Sequence, residues 1–422
     1  MIRKTVFGTV MAFLVIVALT TQAGAYLLDM PSPAPRLGST VAGLSATGGM
    51  APVAEHGPRA VGVRTVDSDE APVAMTLWYP AVEPEEIREL AYAYGVTIFS
   101  PDSSVAFATF PGHATPGAAY DLTGGPYPLV VVSPGFAVTG SSYAWLAEQV
   151  VSHGFVVVAP EHRESLDPSG LWRATINRPV DVLAVLDHLD IESRLGGEYG
   201  GLIDIGTVAV VGHSYGGYTA IATAGARLDT EVFSETCAAA YADDDPLTFQ
   251  CDALDGRSDD MAALSRLERV PTGLWPAVAD DRIRAVVSIA GDAAMFGTDG
   301  LKEVTVPVMA IGGTADTDSP FAWGTRFAYE HVSSTRKIEI ALEGAGHMVF
   351  AGGCDHMRRV ESLVSLGFCS DPGWDRHEAH DIVEHYVTTF LRAELRADPD
   401  ARAALAPSRQ DVPEITYRAE GF

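Results

Sequence analysis

The chain of 422 residues carries 28 Lys and Arg against 55 Asp and Glu, a formal net charge of −27, with 47% hydrophobic residues and four cysteines. Such acidity repels nucleic acid and anionic membrane surfaces, which excludes both as partners and reads as a device for solubility rather than as a clue to substrate. Length and apolar content suit one large α/β core as well as they suit two average domains.

At the start, Arg3 and Lys4 precede an apolar stretch from Val6 to Leu19, and Ala23-Gly24-Ala25 offers small residues to a signal peptidase. The stretch is shorter than the ~20 residues a membrane helix needs. Residues 1–25 are therefore expected to be a cleaved export signal, which leaves no stable membrane anchor. Residues 26–59, rich in Pro, Ala, Gly and Ser, read as a flexible linker, and 60–398 as the folded domain with 399–422 as a C-terminal tail.

Within the domain, strands are expected at Val61–Val66 and Val73–Tyr79, followed by an irregular crossing up to Tyr127. "PLVVVS" is a buried strand, Ser141–His153 a helix ended by Gly154, and "FVVVAP" a strand again. A helix follows from Pro179 to about Arg194, then strands at Val208, Ile283–Ile289, Val306–Ile311 and Lys337–Leu342, and a last helix from His377 to about Arg396. Alternating strands and helices predict a mostly parallel central sheet with helices on both faces. The interval 227–282, with a helix around Met261–Leu267, is too long for a simple connection and reads as a cap or lid over a site.

The chemistry centres on "VAVVGHSYGGYTA". Gly212, Ser214 and Gly216 form G-x-S-x-G where a buried strand gives way to a helical pattern, the context in which that motif presents a nucleophile on a sharp turn. A serine needs a base, and the base needs an acid to hold its tautomer. Downstream, "VPVMAIGGTADTDSP" offers Asp316 and Asp318 after a strand, and "IEIALEGAGHMVF" offers His347 after the next. The order Ser, Asp, His suits this architecture, and all three lie past strand C-termini, where open α/β sheets bind ligands. Backbone N–H groups of Phe136, in "VVVSPGFAVTG", and of Tyr215 are the expected oxyanion donors. His162 and His213, at strand ends, are weighed as pocket lining or structural residues. "DRHEAHDIVEH" misses the H-E-x-x-H spacing, so no metal site is expected there, and Ile382, Val383, Tyr386, Val387 and Phe390 make the buried face of that helix. Cys237 with Cys251 and Cys354 with Cys369 fall in two close pairs without C-x-x-C spacing and are expected as disulfides of an exported protein.

With "GPRAVGVRTV", "LWYPA", "YPLVVVSPGF", "WLAEQVVSHGFVVVAPEHRE", "GHSYGG" and "LEGAGH", the chain resembles the α/β-hydrolase superfamily over about Gly57 to Leu395. It is similar in particular to the group of cutinase-like polyester hydrolases, platelet-activating-factor acetylhydrolases and predicted dienelactone hydrolases. Dienelactone hydrolases carry a cysteine nucleophile where this chain has Ser214. The resemblance implies a cofactor-free serine ester hydrolase working through an acyl-enzyme, on a small-molecule or polymeric ester. It also implies two places for the triad acid: the cutinase-like enzymes have theirs at Asp316, the acetylhydrolases at Asp292. The rival readings are a phospholipase acting on short or oxidised acyl chains and, in another class, a non-catalytic hydrolase-like binding protein.

Overall fold

Runs of β-branched residues bounded by turn formers build two sheets. The computed structural model describes residues 55–83, 90–98, 100, 104–357, 366–369, 371, 373–410 and 412–422; the expected export signal and most of the expected linker lie outside them. Strands β1 (Ala60–Val66) and β2 (Met75–Ala81) pair antiparallel. Next come β3 (Leu90–Thr97), β4 (Ser104–Gly112), the two-residue β5 (Thr115–Pro116), β6 (Tyr127–Ser133) and β7 (Val156–Pro160). After them follow β8 (Ile203–His213), β9 (Ile283–Ile289), β10 (Val308–Gly313), β11 (Lys337–Leu342), the short β12 (His356–Met357) and β13 (Ile415–Glu420). The large sheet runs β13-β11-β10-β9-β8-β6-β7-β2-β1-β5 and is parallel from β7 to β11.

Alternate residues of the central strands enter different cores. Leu129 and Val131 of β6 face α2 (Leu171–Glu192) and α3 (Tyr215–Thr223), whereas Val130 and Val132 face α1 (Ala144–Ser152) and the long C-terminal helix Arg376–Leu395. Both faces are covered, as the apolar runs require. This is the α/β-hydrolase arrangement, with the segment between α3 and β9 carrying three further helices, α4 (Thr230–Asp243), α5 (Thr248–Leu254) and α6 (Ser258–Leu264).

Four sequence expectations are corrected. The crossing before Tyr127 is not irregular: β3 and β4 pair antiparallel and, with β12, form a separate sheet, signalled by the alternation of Tyr92, Tyr94 and Val96 on the buried side. β2 lies two residues beyond the expected span. The helix expected from Pro179 begins at Leu171, with Pro179 inside it. Proline cannot donate to the Thr175 carbonyl, and the Tyr218 hydroxyl supplies that bond instead at 2.9 Å, so the helix continues. Finally, 399–422 is no tail, because β13 pairs with β11 residue for residue at the edge of the main sheet.

The segment just before β1 is also docked. The Gly57 N–H donates to Ser152 Oγ at 2.7 Å and the Gln149 side chain donates to the Glu55 carbonyl, so the domain extends before residue 60. Disulfides join Cys237 to Cys251 and Cys354 to Cys369, with Cα atoms 5.5 Å and 5.8 Å apart. No helix among the described residues is long and apolar enough to cross a membrane.

Candidate active site

Ser214 sits between β8 and α3 with φ 57° and ψ −125°, a conformation that L residues adopt only under constraint. The turn is possible because two glycines allow close approach. A Cβ on Gly212 would lie 2.1 Å from the Gly216 carbonyl oxygen, and one on Gly216 would lie 1.9 Å from the Ser133 carbonyl oxygen. The Ser214 N–H is held by the Ile289 carbonyl at 2.8 Å, which ties the turn to the neighbouring strand.

His347 follows β11, and its Nε2 lies 2.8 Å from Ser214 Oγ. Its Nδ1 lies 2.7 Å from Asp316 Oδ2, in the turn after β10. The other Asp316 oxygen accepts the N–H groups of Asp318 and Ser319, both at 2.9 Å, so the carboxylate is held on two sides. Burial opposes a charged imidazole, but the adjacent Asp316 carboxylate outweighs it and holds His347 up at about 9. Asp292 makes no hydrogen bond to His347 among the described residues; it accepts from the Gln250 amide and from Ser319, and burial pushes its carboxyl up to about 7. Asp318, the other acid offered after that strand, is exposed and makes no hydrogen bond to His347 among the described residues.

Of the two expected oxyanion donors, Tyr215 is the first residue of α3, so its N–H has no intrahelical acceptor. The Phe136 N–H has no hydrogen-bond partner among the described residues, although its neighbours do: Gly135 N–H donates to Tyr143 Oη at 3.1 Å, Ala137 N–H to Glu164 Oε1 at 2.7 Å and Val138 N–H to the Gly135 carbonyl at 3.1 Å. The Tyr215 ring is core, stacked on Tyr218 and bonded through its hydroxyl to Thr175. The Phe136 ring instead borders a cleft of about 400 Å³ that is also lined by His162, Glu164, Arg173 and Asp181.

The sequence reading missed Tyr143 and underused His213. Burial keeps His213 well below the ordinary histidine range, hence neutral. Its Nε2 lies 3.2 Å from the His347 carbonyl, which can only accept, so Nδ1 is the acceptor for the Tyr143 hydroxyl at 2.7 Å. A chain of hydrogen bonds thus links the Gly135 N–H to the backbone of His347 through Tyr143 and His213. No local motif marks Tyr143. On the helix Arg376–Leu395, the five apolar residues expected to be buried are buried, and His377 pairs with Asp355 at 3.1 Å.

Part of the chain is similar to known proteins. A sequence model of the Chlorophyllase family matches residues 119–240. The chain has the α/β-hydrolase fold and is similar in sequence to hydrolases of that fold. Its relatives include cutinase est1 of Thermobifida alba, 34% identical over 103 residues, 24% of this chain and 32% of that protein. Bis(hydroxyethyl) terephthalate hydrolase of Streptomyces coelicolor is 36% identical over 141 residues, 33% of this chain and 41% of that protein. Cutinase 1 of Thermobifida cellulosilytica is 35% identical over 103 residues, 24% of this chain and 36% of that protein. The matched part of the chain spans roughly a third of the relatives' length and stays well short of two thirds of any of these three.

Proposed function

We propose that this α/β-hydrolase is an exported serine carboxylic-ester hydrolase. His347 takes the proton as Ser214 Oγ attacks the ester carbonyl, Asp316 orients the imidazole and stabilises its charge, and the Phe136 and Tyr215 N–H groups receive the oxyanion. The imidazolium then protonates the leaving alkoxide, and water, activated by the same histidine, releases the acid from the acyl-enzyme. The observation that carries this reading is the unbroken hydrogen-bonded line from Ser214 Oγ through His347 to Asp316. The names of the relatives support an ester substrate, and the two disulfides support an oxidising compartment.

The 227–282 segment supports small esters over polymer surfaces, because its Gln250 bonds to Asp292 and its Asp245 accepts from Trp323 Nε1 at 3.2 Å, beside the acid loop. The test is hydrolysis of p-nitrophenyl esters from acetate to palmitate, with and without Ser214→Ala. The expected result is a preference for short chains in the wild type and a loss of about 10⁴-fold or more in the folded variant. A variant that keeps a tenth of the activity ends the serine-hydrolase reading. A preference for long acyl chains ends the small-ester reading.

A further inference from the structure

The segment Glu161-His162-Arg163-Glu164, just past β7, has no part in the reaction proposed above, yet three of its side chains grip the loop that carries Phe136. Glu161 Oε1 accepts the Gly140 N–H at 2.9 Å. His162 Nε2 lies 3.1 Å from Ser133 Oγ, while its Nδ1 lies 2.8 Å from Asp181 Oδ2 on α2. Glu164 accepts the Ala137 N–H and pairs with Arg178, also on α2. Arg178 is the centre of this arrangement: its side chain is only 1% exposed, and it donates to the Pro134 carbonyl at 2.7 Å and the Gly135 carbonyl at 2.9 Å.

The Gly135 carbonyl belongs to the same peptide group as the Phe136 N–H. A guanidinium on that oxygen draws electron density along the amide and makes the N–H a stronger donor, since hydrogen bonds in a chain polarise one another and charged donors do so most. It also fixes the plane of the peptide, because Glu164 bonds to Arg178 and so limits how the fork can turn. With Gly135, Ala137 and Val138 N–H groups all paired, the clamped peptide leaves Phe136 as the loop's unpaired donor.

We infer that Arg178, held by Glu164, is a positioning residue that orients and polarises the Gly135–Phe136 peptide as an oxyanion donor. This rests on the ester-hydrolase reading above and adds a residue that touches neither substrate nor Ser214. An oxyanion donor is worth on the order of 10²- to 10³-fold in rate, so a donor weakened but not removed should cost about 10- to 100-fold.

The experiment uses the full chain with p-nitrophenyl butyrate and a trifluoromethyl ketone, whose hemiketal adduct with the serine Oγ mimics the oxyanion. Arg178→Lys keeps the charge but cannot serve two carbonyls and Glu164 in one plane. The paired change Arg178→Met with Glu164→Leu removes both charges together, which avoids leaving a buried charge alone if a single change prevents folding. Expected in both is a fall in kcat of about 10- to 100-fold with KM within about twofold, and an equal loss of ketone affinity. Arg178→Lys should retain more activity than the paired change. A purely structural role predicts a lower Tm with kcat and ketone affinity per folded molecule unchanged, and that result overturns the inference. Ser214→Ala in the same assay keeps the two ideas apart: its loss of hydrolysis together with unaltered Arg178 variants sinks only the inference, whereas hydrolysis surviving in it sinks the ester-hydrolase reading and this inference with it.

Discussion

His347 stands where burial is opposed by carboxylates, Asp316 first and Asp318 and Asp292 behind it. Burial among apolar side chains disfavours the imidazolium, and the Asp316 carboxylate at 2.7 Å reverses the balance, raising the ring to about 9 from the ordinary 6.5. In the proposed reaction only the neutral ring accepts the serine proton, so kcat/KM should climb as pH rises through about 9 instead of levelling near 7. Stability should run the other way. A histidine whose folded pKa is raised contributes stability that is complete below 6.5 and is lost as pH rises through about 9. Asp316→Asn should remove the strongest upward pull on His347, moving the rising limb of the profile to lower pH while kcat falls by about 10⁴-fold; Asp292→Asn, one strand away and bonded to Gln250, should shift the limb far less and leave kcat without that collapse. Rate profiles of the wild type and these two variants from pH 6 to 10 check both statements, and a collapse confined to Asp292→Asn would move the acid to the earlier strand.

At the scale of elements, α4 and α5 stand out because they sit where the fold needs only a connection. Cys237 of α4 and Cys251 of α5 are bonded, and Gln250, the residue before Cys251, reaches the loop after β9. The bridge therefore holds the contact between the inserted helices and Asp292 in the loop after β9. In the chain-entropy model a loop of this size stabilises by ~3 kcal/mol, so replacing both cysteines by serine should loosen the insertion first. Access should then improve for bulky esters, with their kcat/KM rising several-fold relative to p-nitrophenyl acetate. An unchanged ratio in a folded variant would show that the inserted helices are peripheral to Ser214.

For the whole molecule, the C-terminal residues close one edge of the main sheet. β11 is buried along its length, and β13 supplies its outer hydrogen bonds, with Ile415, Tyr417 and Phe422 packed in part against the core. Truncation before Ile415 should expose the β11 edge, a ready template for association. Partial burial of three such side chains is worth roughly 1 kcal/mol each, and with an unfolding entropy of about 2.1 cal/mol/K per residue this is about 4 °C in Tm for a domain of this size. A thermal melt with light scattering measures both effects, and an unaltered Tm without aggregation would mean that β13 is dispensable.

Much of this was legible in one dimension. The runs at Leu129–Val132, Val156–Ala159 and Val208–Val211 read as buried strands because they are short, valine-rich and bounded by turn formers. Gly212 and Gly216 mark the turn at Ser214 because a side chain at either would strike backbone. The chain order of Ser214, Asp316 and His347 follows from which loops leave which strands. What sequence could not order were features set by distant partners. Pro179 reads as a helix start, and only the Tyr218 hydroxyl, from another helix, makes it an interior residue. Asp292 and Asp316 both follow strands, yet Asp316 meets His347 while Asp292 meets Gln250 of the insertion, contacts between segments far apart in the chain. The role inferred for Arg178 depends on α2 crossing beneath the loop after β6, and the pairing of β13 with β11 on the chain's return to the sheet edge. Local patterns decide what an element is because they act through neighbouring dihedrals and one buried face. Which groups touch is decided by packing between segments far apart in sequence, whose contacts leave no periodic trace in either one.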